Sequence, residues 1–313
     1  MLIASLVALL MMTHWVAAPI ARAQGGGQRP TVDENPAPSA TQIQSLISRA
    51  IENQHGNDRA LEEFERNEHM VTRKPEDKSV VLTDRADRVI PSGTGVMKLP
   101  LAENGMPVSP EIYRSQLQFA VTALALEIHP NDRYKADLVK FEKRQRERSD
   151  LVDSAYKAFR IKWAGRETRP DPSAPNGSRT LAKFLLDPDP AYLPTSRFAA
   201  AFQHARATLW VDESQAQFAR LEGDITSDIT FVGGIAGKID RGGHVVLEQS
   251  EVAPGVWLPT LYTYDLDGRK FVFGFGVHER TEITRYRRLG PPSQAIEIIR
   301  AELSNLSAAT PAR

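Results

Sequence analysis

The sequence predicts an α+β fold in which helices pack against one side of a long, curved antiparallel sheet. Three observations carry that expectation. From about Tyr156 onward the hydrophobic period changes from helical to two, the strand-like segments are divided by Gly, Pro, Asp or Asn, and the connections between them are short. Amphipathic helical stripes precede and follow this stretch, the arrangement expected when helices are segregated to one face of an antiparallel sheet.

Taken in order, Thr41 reads as a helix N-cap, and Ile43, Leu46, Ile47, Ala50 and Ile51 recur at helical spacing until the Gly56 region. First strands are expected over Met70 to Lys74 and Ser79 to Ile90, broken by Pro91-Ser92-Gly93-Thr94-Gly95. Residues 109–149, with Pro110 near the start and a break at Pro130, read as a charged helical insertion. Lys and Glu at i, i+4 distances in its second part mark a solvated helix face. Eight strand-like segments follow: Phe159 to Thr168, Arg179 to Leu186, Ala207 to Val211, Gln217 to Glu222, Ile225 to Phe231, His244 to Val252, Trp257 to Asp265 and Lys270 to Arg287. Asp267-Gly268 is read as a hairpin connection between the last two. A closing helix follows Pro291-Pro292, with Ala295, Ile298, Ile299 and Leu303 on one stripe.

The N-terminal 23 residues read as a secretory signal peptide. An uncharged apolar run from Leu2 to Ala18, shorter than a bilayer span needs, ends at Pro19 ahead of Ala21-Arg22-Ala23, a small-residue cleavage site. Residues 24–40 are rich in Gly and Pro and poor in large apolar side chains, the composition of a disordered linker. A single domain is expected over 41–308, in the periplasm or outside the cell. The chain contains no cysteine, which excludes a disulfide framework, thiolate metal ligands and a cysteine nucleophile. With 39 basic and 39 acidic side chains, its charge is balanced, which argues against nucleic acid or an anionic membrane as main partner; membrane contact is expected to be transient.

Catalytic signatures fail one by one. Gly233-Gly-Ile-Ala-Gly237-Lys238 has too short a spacing for a phosphate loop and lacks the following Ser or Thr. His278-Glu279-Arg280-Thr281-Glu282 lacks the second histidine of a zinc protease and lies on a strand. The pairs Asp187/Asp189 and Asp224/Asp228 read as turn acids. No enzymatic activity, metal or cofactor is therefore expected. The last long strand is more informative: Phe271, Phe273, Phe275 and Val277 share one face, while Val272, Gly274, Gly276 and His278 share the other. Paired glycines bend a sheet or admit close approach, and the phenylalanine face reads as buried, so a charge at Phe273 is expected to unfold the domain.

The segment from Leu209 to Gly290, with W-V-D at 210–212, R-L-E-G at 220–223 and V-W-L-P-T at 256–260, resembles the C-terminal sheet of acidobacterial exported proteins of the outer-membrane lipoprotein-sorting (LolA-like) type. A weaker resemblance runs through Val89 to Leu117. The resemblance implies an open half-barrel whose concave side is closed by helices and holds acyl chains. It implies a non-enzymatic carrier or sensor of lipid or lipoprotein acyl chains, whose cavity is lined in part by Leu247, Trp257, Leu261, Phe271, Phe273 and Phe275. The alternative is an envelope module, structural or regulatory, that binds a protein partner.

Overall fold

The computed structural model describes residues 37–308, apart from 172–173, 175, 197, 232–236 and 271–272. The expected leader, most of the expected linker, most of the Gly233 turn, and Phe271 fall outside the described residues. The chain is α+β, and its large antiparallel sheet does not close. Two compact units divide it: residues 1–57, 72–82 and 148–280 make the first, and 58–71, 83–147 and 281–313 the second.

In the first unit, helix α1 (Ala40–Ala60) precedes strands β5 (Phe159–Pro170), β6 (Ser178–Pro188), β7 (Ala205–Asp212), β8 (Gln217–Ile225), β11 (His244–Ala253) and β12 (Val256–Lys270). Their hydrogen-bonded order is β12-β11-β8-β7-β6-β5. Two short strands, β9 (Ile229–Phe231) and β10 (Gly237–Ile239), pair with each other, and β10 also pairs with β12. Register lines up Trp163, Phe184, Leu209, Leu221, Leu247 and Tyr262 across six strands, so one sheet face carries an apolar row. The neighbouring row, Lys183, Trp210, Arg220, Glu248 and Leu261, faces the other way and is mostly charged.

Helix α1 starts one residue before the expected cap. Ser39 and Gln42 form a capping box: the Gln42 amide donates to Ser39 Oγ at 3.3 Å and the Ser39 amide donates to Gln42 Oε1 at 2.8 Å. Thr41 lies inside the helix, because a reciprocal pair satisfies two orphan amides where a lone threonine satisfies one. The helix also continues through Gly56, a position with open space around it.

The second unit holds β2 (Val81–Pro91), β3 (Val96–Glu103), β4 (Met106–Pro107), α2 (Pro110–Ile128) and α4 (Pro292–Ala308), with strand order β4-β3-β2-β1-β13. Strands β1 (Phe64–Arg73) and β13 (Phe273–Arg288), together with α3 (Asp132–Ala158), contribute residues to both units, as do the first two residues of β2 and the last three of α1. The expected helices bracketing Pro130 are α2 and α3, with Ser109 capping α2 through the Ile112 amide. Asn104 and Gly105, both at positive φ, form the β3–β4 turn, the residue pair that a tight hairpin demands. Ile90, Leu99, Leu117, Leu124, Ile296 and Ile299 make this unit's apolar core. Beside it Arg88 is buried and pairs with Glu65 and Glu302, the latter also receiving the Tyr113 hydroxyl. Burial opposes the charge on nearby Glu68, but Arg66 and Lys98 outweigh it and hold that carboxyl below its ordinary value.

Two expectations are corrected. Asp267-Gly268 is not a turn but lies within β12, where Ile239 of β10 pairs with Gly268. A Cβ at position 268 would sit only 2.2 Å from the Lys238 carbonyl oxygen, so glycine is needed for this close approach. Phe273 is not buried: it is 72% exposed at the first position of β13. Alternation assigns a residue to a face, yet only a covering layer buries it, and the nearby Asp267, Arg269 and Gly274 are exposed too.

Phe273→Asp should therefore change stability by no more than about 0.5 kcal/mol, as surface substitutions do. Leu247→Ala, at a fully buried position, should cost about 2–5 kcal/mol. Urea unfolding of both variants beside the parent measures the contrast, and a large loss for the aspartate would place Phe273 in a core after all.

Candidate functional site

Of the six residues expected to line one cavity, Phe271 lies outside the described residues and the other five differ in their surroundings. Leu247 and Trp257 are each 1% exposed and sit within packed core, Leu261 and Phe275 are half-buried, and Phe273 faces solvent. What the sequence does not reveal is how α1 is fastened. Side-chain amides join it to the sheet of the first unit. Asn53 Nδ2 donates to the carbonyls of Gln215 and Ala216 at 3.0 and 2.9 Å. Asn57 Nδ2 donates to Gln217 Oε1 at 2.8 Å, and its own Oδ1 accepts the Trp257 backbone N–H at 3.1 Å. Gln249 Nε2 donates to Gln54 Oε1 at 2.9 Å and to the Phe218 carbonyl at 3.0 Å.

Asn53, Gln54 and Asn57 follow i, i+1, i+4 spacing, so they occupy one helix stripe beside the apolar Leu46, Ile47 and Ala50. Seen in sequence alone, a polar stripe suggests solvent, yet Gln54 and Asn57 are buried. The seam is also imperfect: Gln249 Oε1 is buried with no hydrogen-bond partner among the described residues. A buried acceptor left this way costs roughly 1–3 kcal/mol, which lowers the work needed to lift the helix.

At the N-terminal end of α1 lies a pocket of about 350 Å³. Pro38, Ile43 and Leu46 supply apolar wall, and Arg49, Arg166 and Glu213 supply charge. Arg166 is committed elsewhere: its Nε and Nη2 meet Glu213 at 2.5 and 3.0 Å, and its guanidinium lies 4.9 Å from the Trp163 ring centroid. Arg49 is exposed and has no ion-pair partner among the described residues.

The remaining titratable candidates are tied into local pairs. Asp187 binds Lys162 at 2.6 Å, Asp189 binds Arg160 at 3.0 Å, Asp224 binds His244 at 2.7 Å, and Asp228 binds Lys238 at 2.9 Å. His278, whose side chain is 3% exposed, is bracketed by Asp265 at 2.5 Å and Asp267 at 3.1 Å, and Lys78 reaches Asp265 as well. These contacts suit the fastening of the β1–β2 loop to β12 and β13. They hold the Asp265 carboxyl down to about 2, with the His278 hydrogen bond the largest cause, burial acting against it and Lys78 adding to it.

Two outcomes are expected. Asn57→Ala removes partners from a buried N–H and a buried amide oxygen, so it should lower stability by about 2 kcal/mol or more and speed hydrogen exchange at the Trp257 amide. For Asp265, the folded value lies below the unfolded one, so its contribution is present above about pH 4 and is lost as pH falls toward 2. The stability difference between the parent and Asp265→Asn, followed by thermal melts, should shrink over that window; a gap independent of pH would refute the assignment.

Comparison with known proteins leaves this geometry to speak for itself: no family model, no curated protein and no solved structure matches the chain.

Proposed function

We propose that the protein is an exported, non-enzymatic carrier or sensor that takes an acyl chain against the first unit's sheet under helix α1. The observation that carries this reading is the pairing of a pocket with an openable seam. The pocket of about 350 Å³ is lined by α1 itself, and the same helix is held in part by amide hydrogen bonds, which water can replace when the helix lifts. A purely apolar helix seat would resist opening by its full transfer free energy, at roughly 25 cal/mol per Å² of surface exposed.

The volume lies within the range of about 300–1,000 Å³ usual for small-molecule sites. Each methylene buried contributes roughly 0.8 kcal/mol before association costs, so a chain of ordinary length can bind without a covalent link. An open antiparallel sheet supports the same reading. The expected cavity residues are replaced in it by the pocket-lining Ile43 and Leu46.

A second reading, a module that docks a protein partner, is favoured by one feature of the second unit. Ile112 and Phe119 are both exposed on α2, seven residues apart and so on one helix face.

Titration of purified, delipidated protein with a fluorescent long-chain fatty acid, read through tryptophan emission, tests the carrier. Saturable micromolar binding is expected, with affinity at least tenfold weaker in Ile43→Glu, which puts a charge on the pocket wall. No binding by folded protein would transfer support to the partner-docking reading.

A further inference from the structure

We propose that the ligand of the α1 pocket is an anionic amphiphile whose head is held by Arg49, an inference that rests on the acyl-chain reading above. The charges of the pocket do not cancel. Glu213 is spent on Arg166 through two short hydrogen bonds, and Arg166 is further fixed over the Trp163 ring. Arg49 is left as the one lining cation with no carboxylate partner among the described residues.

Its position on α1 suits the role. Arg49 lies three residues beyond Leu46 and six beyond Ile43, so the helix presents apolar wall and guanidinium to the same pocket. An uncharged amphiphile would use only the wall. A carboxylate or phosphate head would also gain a charge-assisted, two-pronged contact of the kind a guanidinium fork makes. Glu213 sets the opposite limit: were it uncharged, the pocket lining would lose its one negative charge.

The test compares laurate and dodecyl phosphate with dodecanol, three probes of equal chain length, by isothermal titration of the delipidated protein at low and high salt. Both anions should bind at least tenfold more tightly than the alcohol, and the preference should weaken as salt rises. Arg49→Gln should remove the preference, Arg49→Lys should retain part of it, and Glu213→Gln should enlarge it. The tighter of the two anions identifies the head group. Equal affinity for anions and alcohol, or a preference unchanged in Arg49→Gln and Glu213→Gln, would overturn this inference while leaving the acyl-chain reading intact. Failure of all three probes to bind would remove the acyl-chain reading and the anion preference together.

Discussion

Trp257 can be buried in the core of the first unit because both of its N–H groups find partners. Its backbone N–H donates to Asn57, its indole N–H donates to Gln215 at 3.0 Å, and the Arg179 guanidinium covers its ring at 4.7 Å. Leu181, Trp210 and Ala219 complete the packing. Each requirement recruits another element: Asn57 brings α1, Gln215 brings the β7–β8 turn, and Arg179 brings β6. Arg179 in turn is held by Asp171, Asp212 and Glu251, so one buried indole organises a chain of ionic contacts that reaches four elements. Burying the ring without these partners would leave donors unpaired at a cost comparable to the gain from its apolar area.

The charged sheet face extends the same logic outward. Trp210 lies beside Arg169, Lys183 and Arg220, each between 5.0 and 5.7 Å from its ring, and its indole N–H donates to Glu167. Arg220 also pairs with Glu222 and Glu248. Isolated surface ion pairs are worth little, but here the aliphatic stems of the cations cover indole surface, so the contribution comes from packing as much as from charge. The outermost strand, β5, carries Arg160, Lys162, Arg166 and Arg169 and has a bulge at Gly165, which is at positive φ. Charges and a bulge on an edge strand discourage pairing with another chain, so recognition through this edge is disfavoured.

A helix fastened by amides has a particular thermodynamic character. Amide hydrogen bonds contribute little net free energy because water offers nearly equal partners, while their geometry fixes one seating of the helix. The result is one specified seating whose polar contacts cost little to exchange for water, while the buried Leu46, Ile47 and Ala50 supply the apolar part of the hold. That combination is what a binding protein needs if its ligand enters beneath a helix, and the Gln249 oxygen, without a hydrogen-bond partner among the described residues, reduces the cost further.

Much of the fold is legible in the amino-acid sequence, because strand and helix periods follow from local geometry. The break at Pro130, the start of α2 at Ser109-Pro110, the closing helix after Pro291-Pro292 and most strands from Phe159 onward coincide with elements, while the expected strand Ile225 to Phe231 is split between the end of β8 and β9. The Ser39/Gln42 capping box and the Asn104-Gly105 turn are also local signals, present in the sequence at their usual spacings. Burial is a different matter. Whether Phe273 is covered, whether Gly268 turns the chain or admits a neighbouring strand, and whether Asn53, Gln54 and Asn57 face water or a sheet depend on residues from 29 to more than 160 positions away. The candidate site shares that dependence: Arg49 and Arg166 are ordinary charged residues until the tertiary structure gives Glu213 to one of them and leaves the other without a carboxylate partner among the described residues. The sequence by itself determined the elements, since those follow from torsional preference and hydrophobic period. Only the tertiary structure decided which polar groups are buried and paired, since desolvation and hydrogen bonding are settled between segments that the chain brings together from afar.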